Sequence, residues 1–157
     1  MCRGGINDDI RNGPYLKMAC FCERVLREVD GVVTMVRVID RLTHTESKPD
    51  APAEMPPVTY EMKLVIMLIP GQARGRHDLK VERELPSGIR DKPIAVTVQL
   101  EGGNRGANIV MNTKMKFPLE GLYWFNVYLD DALLTKIPFQ VLYQRISIPG
   151  VAPDAAP

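Results

Sequence analysis

Cys20 and Cys22, which are separated by a single residue, form the first grouping in this sequence that could do chemistry. Alternate residues of a strand point the same way with their Cα atoms about 6.5 Å apart, which would strain a disulfide. A zinc site would need two further Cys or His ligands at suitable spacing, and His44 and His77 stand singly in sequence that is typical of loops. We therefore expect two ordinary buried thiols.

A glycine-rich basic segment, residues 71–77, could cradle a phosphate or a carboxylate. A phosphate loop normally opens a helix whose aligned amides face the anion, whereas residues 79–85 have the pattern of a strand. We interpret residues 71–77 as a connecting loop. A second glycine-rich segment, residues 102–106, lies between two predicted strands and predicts a turn.

Neighbouring titratable residues are few, and they fall where turns are expected. Asp78 follows His77, and Asp130 precedes Asp131, but such residues are common in turns for backbone reasons. The sequence shows no nucleophile beside a base and no carboxylate pair in a recognisable pocket. We expect no catalytic residues, no cofactor and no metal ligands, and we expect that the protein is not an enzyme.

Aromatic residues cluster near the C-terminal end, at Tyr123, Trp124, Phe125 and Tyr128. Strand alternation places Tyr123 and Phe125 on one face and Trp124 and Tyr128 on the other. An exposed pair could stack on a sugar ring, which would require an aromatic-lined concavity near Trp124 and Tyr128. The structural alternative is that both pairs are packed.

The composition is that of an ordinary globular domain, with 45% hydrophobic and 25% charged residues in a chain of 157 residues. The 20 basic and 19 acidic residues leave a formal net charge of +1 without a basic stripe, so nucleic acid is not an expected partner. The longest apolar run, Leu64 to Ile69, is too short for a membrane span of about 20 residues. No membrane contact is expected.

The cysteine count and the N-terminal sequence indicate the compartment. Cys2, Cys20 and Cys22 are an odd number and too few for a disulfide framework, which agrees with a reducing compartment. Residues 6–13 are polar and partly acidic, unlike the apolar stretch of a secretory signal. We expect a cytoplasmic protein.

Alternation of apolar and polar residues predicts β-strands along most of the chain. The clearest are residues 32–39, 60–69, 79–81, 94–100 and 109–117. The strand predicted over residues 60–69 is apolar on both faces from residue 64 onward. This pattern fits a strand that is covered on both sides, or one whose outer face meets a partner. Residues 22–29 fit either a single helical turn or a strand.

Turn signals pair these strands. Asp30-Gly31 predicts one hairpin, and Asp130-Asp131 joins residues 123–129 to residues 133–141 in a terminal hairpin. Residues 47–57 contain four prolines and predict an extended connector that crosses between sheets. Short strands separated by Gly and Pro predict an all-β sandwich or barrel.

The pattern predicts one domain. We expect a flexible N-terminal extension from Met1 to Lys17, a β-sandwich domain over residues 18–145, and a flexible C-terminal tail over residues 146–157.

Gly121 precedes Tyr123 by two positions at the start of a predicted strand, which resembles the tyrosine corner of immunoglobulin-like domains. The Tyr123 hydroxyl would then bond to nearby backbone. An antibody-type disulfide is not expected, because no second cysteine follows Tyr123.

Four segments extend this resemblance: Cys22-Glu23, Glu28 to Gly31, Val38 to Asp40, and Gly121 to Val141. Together they are similar to an uncharacterised family of small bacterial proteins over residues 18 to about 143. The resemblance implies an immunoglobulin-like antiparallel β-sandwich of about 7 to 9 strands and no assigned activity.

Pro138 lacks an amide donor, so the last strand should lie at a sheet edge or contain a bulge. We expect a protein contact, with a partner or by self-association, through this edge near Leu133 to Tyr143, which is apolar on both faces from Phe139 onward. The alternative is that the tail covers the edge with Ile146 and Ile148.

The function expected from these observations is a non-catalytic protein-interaction or structural module. A small-molecule or carbohydrate-binding domain is the alternative.

Overall fold

The structure is a computed structural model that describes residues 12–146, and the regular secondary structure in this range is nine β-strands. In chain order these are β1 (Tyr15–Arg27), β2 (Val33–Ile39), β3 (Arg41–Glu46), β4 (Val58–Ile69), β5 (Gly71–Glu84), β6 (Ile94–Gly103), β7 (Ala107–Phe117), β8 (Gly121–Leu129) and β9 (Ala132–Arg145). None of the described residues forms a helix of the length and apolarity that a bilayer crossing requires.

The strands form two sheets that pack face to face. The four-stranded sheet has the order β2-β1-β4-β7, and the five-stranded sheet has the order β3-β9-β8-β5-β6. Every pairing is antiparallel except that of β3 with β9, which is parallel. The proline-rich residues 47–57 connect β3 in one sheet to β4 in the other, as predicted, and the predicted all-β sandwich is confirmed.

The pairing is that of an immunoglobulin-like sandwich. In the four-stranded sheet, the order β1-β4-β7 corresponds to strands A, B and E of such domains. In the five-stranded sheet, the order β6-β5-β8-β9 corresponds to strands C′, C, F and G. β2 is an additional strand beside β1. Within residues 12–146 no strand pairs with the outer side of β7, where strand D of an immunoglobulin domain would lie.

The predicted tyrosine corner is present at the start of β8. The Tyr123 hydroxyl donates a hydrogen bond to the Leu119 carbonyl at 2.7 Å and accepts one from the Leu119 N–H at 3.2 Å. The Tyr123 side chain is fully buried, and its ring meets Phe117 edge to face at 5.1 Å. This corner fixes the loop between β7 and β8 to the core.

An aromatic cluster takes the place of the inter-sheet disulfide of antibody domains. Phe125 lies two residues after Tyr123, at the position of the second antibody cysteine. Phe21 reaches it from β1 in the opposite sheet, with 4.7 Å between the ring centroids, and also meets Phe139 of β9 at 5.4 Å. Edge-to-face contacts of this kind stabilise a core beyond the area that they bury.

Both predicted hairpins are confirmed. β1 and β2 pair around Gly31, which has a φ of 82°, so the Asp30-Gly31 turn adopts the left-handed backbone that glycine favours. β8 and β9 pair around Asp130 and Asp131, whose φ values are 47° and 64°. Asp tolerates this conformation better than most residues.

Two local expectations differ from the structure, and one open alternative is decided by it. β1 begins at Tyr15, three residues before Met18, and continues to Arg27, so residues 22–27 form a strand, one of the two structures that this sequence fits. Residues 71–77 are not a loop but the first half of β5, which pairs with β6 through Arg74 and Arg76. The reason is that this segment is half exposed and needs only backbone pairing, which polar side chains and glycine permit.

The chain ends are described only in part. Of the predicted extension, residues 1–11 lie outside the described residues, whereas Tyr15 to Lys17 belong to β1. Of the predicted tail, residues 147–157 lie outside the described residues, including Ile148. Ile146 donates its N–H to the Glu46 carbonyl at 2.9 Å, and its side chain is 52% exposed.

Candidate functional site

The last strand, β9, is not a free edge over the whole stretch that the sequence predicted. β3 pairs with β9 from Gln140 to Arg145 and so covers the apolar end of that surface. The Gln140 N–H donates to the Asp40 carbonyl at 2.9 Å, on the side away from β8. Backbone groups of alternate residues face the same side of a strand, so the N–H that proline lacks at position 138 would also face away from β8.

Part of the predicted contact surface at Leu133 to Tyr143 is therefore not a free sheet edge. Its second half is paired with β3, because the sequence did not indicate that a six-residue strand would lie parallel to β9. Its first half has no second neighbour within the described residues, but Pro138 removes a donor there and Lys136 adds a charge. Both features protect an edge against strand addition.

β7 offers a more complete edge. Its eleven residues all pair with β4 on one side in a continuous antiparallel register. Arg83 donates to the Lys116 carbonyl at 2.7 Å, so the backbone of residue 116 faces away from β4. By alternation, the backbone groups of Asn108, Val110, Asn112 and Lys114 face the same way. Among residues 12–146, no strand pairs with them.

An apolar cleft of about 180 Å³ opens between the two sheets beside β7. Its floor is the core itself, formed by Phe21, Leu64, Val81 and Phe125. Ile94 of β6 and Met115 of β7 contribute to the sides, and Ile94 is 52% exposed. The cleft lies where strand D would close an immunoglobulin sandwich.

Charged side chains surround the mouth of the cleft. Four are cations and one is a carboxylate: Arg83, Asp91, Lys92, Lys114 and Lys116. The chain as a whole has a formal net charge of only +1, so positive charge is concentrated here. Lys114 lies 3.4 Å from Glu61, but both side chains are more than two-thirds exposed, at 71% and 73%, so this pair adds little to stability.

Arg83 joins the two sheets at one end of the cleft. Its guanidinium forms an ion pair with Asp91 at 2.5 Å and lies 5.6 Å from the Phe117 ring and 5.7 Å from the Tyr123 ring. Because the same group donates to the Lys116 carbonyl, the outward-facing backbone that lacks a partner strand in the described part of the chain extends from residue 108 to residue 114. Its side chain is 17% exposed.

This cleft leaves no continuous pattern in the sequence, because its lining comes from strands of both sheets. One signal was available. Arg83 continues the core-facing register of Leu79 and Val81 in β5, so an arginine occupies a position where the alternation predicts an apolar residue.

Cys20 and Cys22 lie on the outer face of the four-stranded sheet, opposite to the core-facing Phe21. Cys22 is fully buried and Cys20 is partly buried, and burial raises the pKa of both thiols above the usual value. Protonated thiols of this kind are weak nucleophiles. Over residues 12–146, no three His, Cys, Asp or Glu side chains meet in an arrangement that could hold a metal ion.

His77 pairs with a distant aspartate rather than with its neighbour Asp78. Its Nδ1 lies 2.5 Å from Asp130 Oδ2, and its Nε2 lies 3.2 Å from the Arg74 carbonyl. Both nitrogens can donate only when the ring is protonated, so the hydrogen bond to Asp130, with that to Arg74, raises the pKa of His77. Neither nitrogen is free to act as a base, and the grouping holds the β8–β9 turn to β5.

The pH dependence of this contact follows from the sign of the two shifts. Because the pKa of His77 is raised in the folded protein, its protonated ring stabilises the fold fully below about pH 6.5. This contribution is lost as the pH rises through the pKa of His77 in the folded state. The N–H of Asp78 and the His77 ring lower the pKa of Asp130, whose contribution is lost only in acid. We expect Asp130→Asn to reduce the free energy of unfolding by about 1 kcal/mol near pH 5.5, and by less near pH 8.5.

Urea denaturation at both pH values measures this difference. Asp131→Asn is the matched control, because Asp131 lies in the same turn, also has a positive φ of 64°, and pairs with exposed Lys80 at 2.7 Å. Its effect should not change between these pH values. Equal pH dependence in the two variants would contradict the assignment of the effect to His77.

Trp124 and Tyr128 lie on the outer face of the five-stranded sheet and are half-buried, while Tyr123 and Phe125 are core residues. Lys136 places its ammonium group 5.2 Å from the centre of the Trp124 ring. One face of the indole is therefore already occupied by a cation, which disfavours stacking of a sugar on that face.

Comparisons with known proteins give a family but no activity. A model of a family of unknown function, DUF6941, matches residues 17–142. An immunoglobulin-like protein from Pseudomonas aeruginosa is similar in structure at 14% sequence identity, with 85% of this chain and 99% of that chain covered and a TM-score of 0.39. The CARDB domain of a Pyrococcus furiosus protein gives 11% identity, 82% and 90% coverage and a TM-score of 0.39. No curated protein sequence matches significantly.

Proposed function

This chain belongs to DUF6941, a family of unknown function, and we propose that it is a non-catalytic protein-interaction module that binds an extended segment of a partner protein along the free edge of β7. The observation that carries the proposal is the outward-facing backbone of residues 108–114, with which no strand among residues 12–146 pairs, beside an open apolar cleft.

Strand addition uses the hydrogen-bonding groups that an end strand leaves free. Residues 108, 110, 112 and 114 each direct one donor and one acceptor away from β4, over a stretch without proline or bulge. An added strand would satisfy these groups and give affinity that does not depend on sequence. It would also complete the sandwich at the position of strand D.

The side chains around this edge determine the chemistry of the partner. Alternate side chains of an added strand would face the cleft, whose apolar floor includes Leu64 and Phe125. The remaining side chains would meet the cations at its mouth, Lys92, Lys114 and Lys116. A segment in which apolar residues alternate with acidic residues fits both requirements.

Binding of a short, end-blocked, fluorescently labelled peptide of alternating glutamate and valine tests the proposal. We expect the full chain to bind it, and to bind the corresponding lysine–valine peptide at least about tenfold more weakly. Fluorescence anisotropy measures both affinities. The double variant Lys114→Glu with Lys116→Glu should reverse this preference, while Lys48→Glu, in an exposed loop, is the matched control and should leave it unchanged.

A second variant tests the backbone contact. Asn112→Pro removes an outward-facing donor while leaving the pairing with β4, and proline is tolerated on the outer side of an edge strand. We expect it to abolish peptide binding with little change in the urea midpoint. Failure of the acidic peptide to bind, or equal binding to the proline variant, would refute strand addition at β7.

Binding of a small molecule is the second candidate, because the cleft combines an apolar floor with lysines at its mouth. A short aliphatic carboxylate would place its chain against Val81 and Phe125 and its charge beside Lys92 or Lys116. Titration with octanoate distinguishes the two. Saturable binding of octanoate in the absence of peptide binding would replace the first proposal by the second.

A further inference from the structure

Five sulfur-containing side chains gather on the outer face of the four-stranded sheet: Met18, Cys20, Cys22, Met35 and Met67. The chain contains only three cysteines and eight methionines, so nearly half of its sulfur atoms belong to this one cluster. The other members are valines. We propose that this cluster binds a soft monovalent metal ion, Cu(I), through Cys20, Cys22 and Met35.

The positions of the three ligands come from two strands. Cys20 and Cys22 are alternate residues of β1, so their side chains leave the same face of the sheet. Met35 comes from β2, and its Sδ lies 3.7 Å from Cys20 Sγ. A trigonal ion at about 2.3 Å from each sulfur would hold two sulfurs about 4.0 Å apart. Cys20 and Met35 are therefore already at nearly the required separation.

The second thiol belongs to the same cluster as the first. Cys22 is fully buried beside Val65 and Met67, and the side chains of Cys20 and Met35 pack against this group. Cys22 Sγ now lies 3.5 Å from the Arg24 carbonyl, which is a weak contact that the thiol can leave by rotation.

The kind of ligand selects the kind of metal. Thiolates and thioethers are soft donors that select Cu(I), whereas zinc takes Cys, His and carboxylate ligands. The described residues offer no third ligand of the zinc type beside the two cysteines. Met35 is thus the residue that distinguishes a copper site from a zinc site.

The charge and proton balance of binding can be stated. Each thiol releases one proton to solvent as it becomes a ligand, so one Cu(I) displaces two protons and forms a complex with a charge of −1. Lys63 pairs with Cys22 on the neighbouring strand β4 and can offset part of this charge. Met18, Cys20 and Met35 are partly exposed, which leaves the ion a path from solvent to the buried Cys22.

Anaerobic titration of the full chain with Cu(I), in competition with a chromogenic chelator, tests the site. A Cys2→Ser background removes the third thiol, which lies outside the described residues. We expect one equivalent of Cu(I) to be retained, with ultraviolet absorption from thiolate-to-metal charge transfer. Cys20→Ser and Cys22→Ser should each weaken binding by at least about a hundredfold, and Met35→Leu by at least about tenfold.

Met35→Leu keeps the proposal testable if a cysteine variant does not fold, because leucine replaces methionine at nearly equal volume. Met115→Leu, at a methionine that packs against the main core, is the matched control and should bind Cu(I) like the parent protein. The proposal is overturned if the parent protein retains no Cu(I), if Met35→Leu and Met115→Leu bind it equally, or if Zn(II) competes at equal concentration. None of these outcomes depends on whether β7 binds a peptide.

Discussion

Phe21→Ala is expected to lower the free energy of unfolding by about 3–5 kcal/mol, the usual effect of removing a buried phenylalanine ring. The Phe21 side chain is 1% exposed and bridges the two sheets through Phe125 and Phe139. Surrounding rings that are attached to two different sheets cannot collapse into the space without moving a whole sheet. A loss of this size is a large part of the total stability of an ordinary domain, which is about 5–15 kcal/mol.

Urea denaturation followed by circular dichroism measures the change. Val38→Ala is the matched control, since Val38 pairs with Cys22 on the neighbouring strand but is 58% exposed, so its truncation should cost less than about 0.5 kcal/mol. A loss below about 1 kcal/mol for Phe21→Ala would mean that the two sheets do not depend on this aromatic contact.

Gly121→Ala should destabilise the fold by about 2–3 kcal/mol, because two effects add at this position. Gly121 has a φ of 132°, which side chains rarely adopt, and a Cβ there would lie 2.9 Å from the Cβ and Cγ atoms of Pro86. The backbone cannot move away easily, since Tyr123 fixes the same corner through both backbone groups of Leu119.

A second glycine separates the two effects. Gly103 has a positive φ of 62°, but a Cβ there would meet nothing within 4 Å. Gly103→Ala should therefore cost only the strain of the left-handed backbone, about 1 kcal/mol. Equal losses in the two glycine variants would show that neither the contact with Pro86 nor the larger φ of Gly121 adds to the loss. Tyr123→Phe, which keeps the ring and removes its hydrogen bonds, should cost about 1 kcal/mol.

The cleft beside β7 links the proposed function to the stability of the fold. The floor of the cleft includes Phe21 and Phe125, so the same side chains that hold the sheets together are within reach of a bound segment. Phe21 and Phe125 are already buried, so a partner at β7 would instead cover the half-exposed Ile94, and its binding to the folded state should raise the unfolding midpoint.

The sequence by itself determined the class of fold, because the information is local. Period-two alternation is a property of each strand alone, and the turn residues at Asp30-Gly31 and Asp130-Asp131 act within four residues. The tyrosine corner was also recognisable, since Gly121, Leu119 and Tyr123 are neighbours in the chain. The prediction of a loop over residues 71–77 is wrong, because a strand needs only backbone pairing, which leaves little trace in polar, glycine-rich sequence.

Only the tertiary structure decided which strand ends a sheet and which distant side chains meet. The parallel pairing of β3 with β9 covers one predicted edge, and the absence of a described strand beside β7 leaves another free. His77 meets Asp130 across 53 residues, and Cys20 meets Met35 across 15. Strand order is set by the packing of whole sheets, and no pattern within one strand specifies its neighbour, so these contacts follow only once the sheets are assembled.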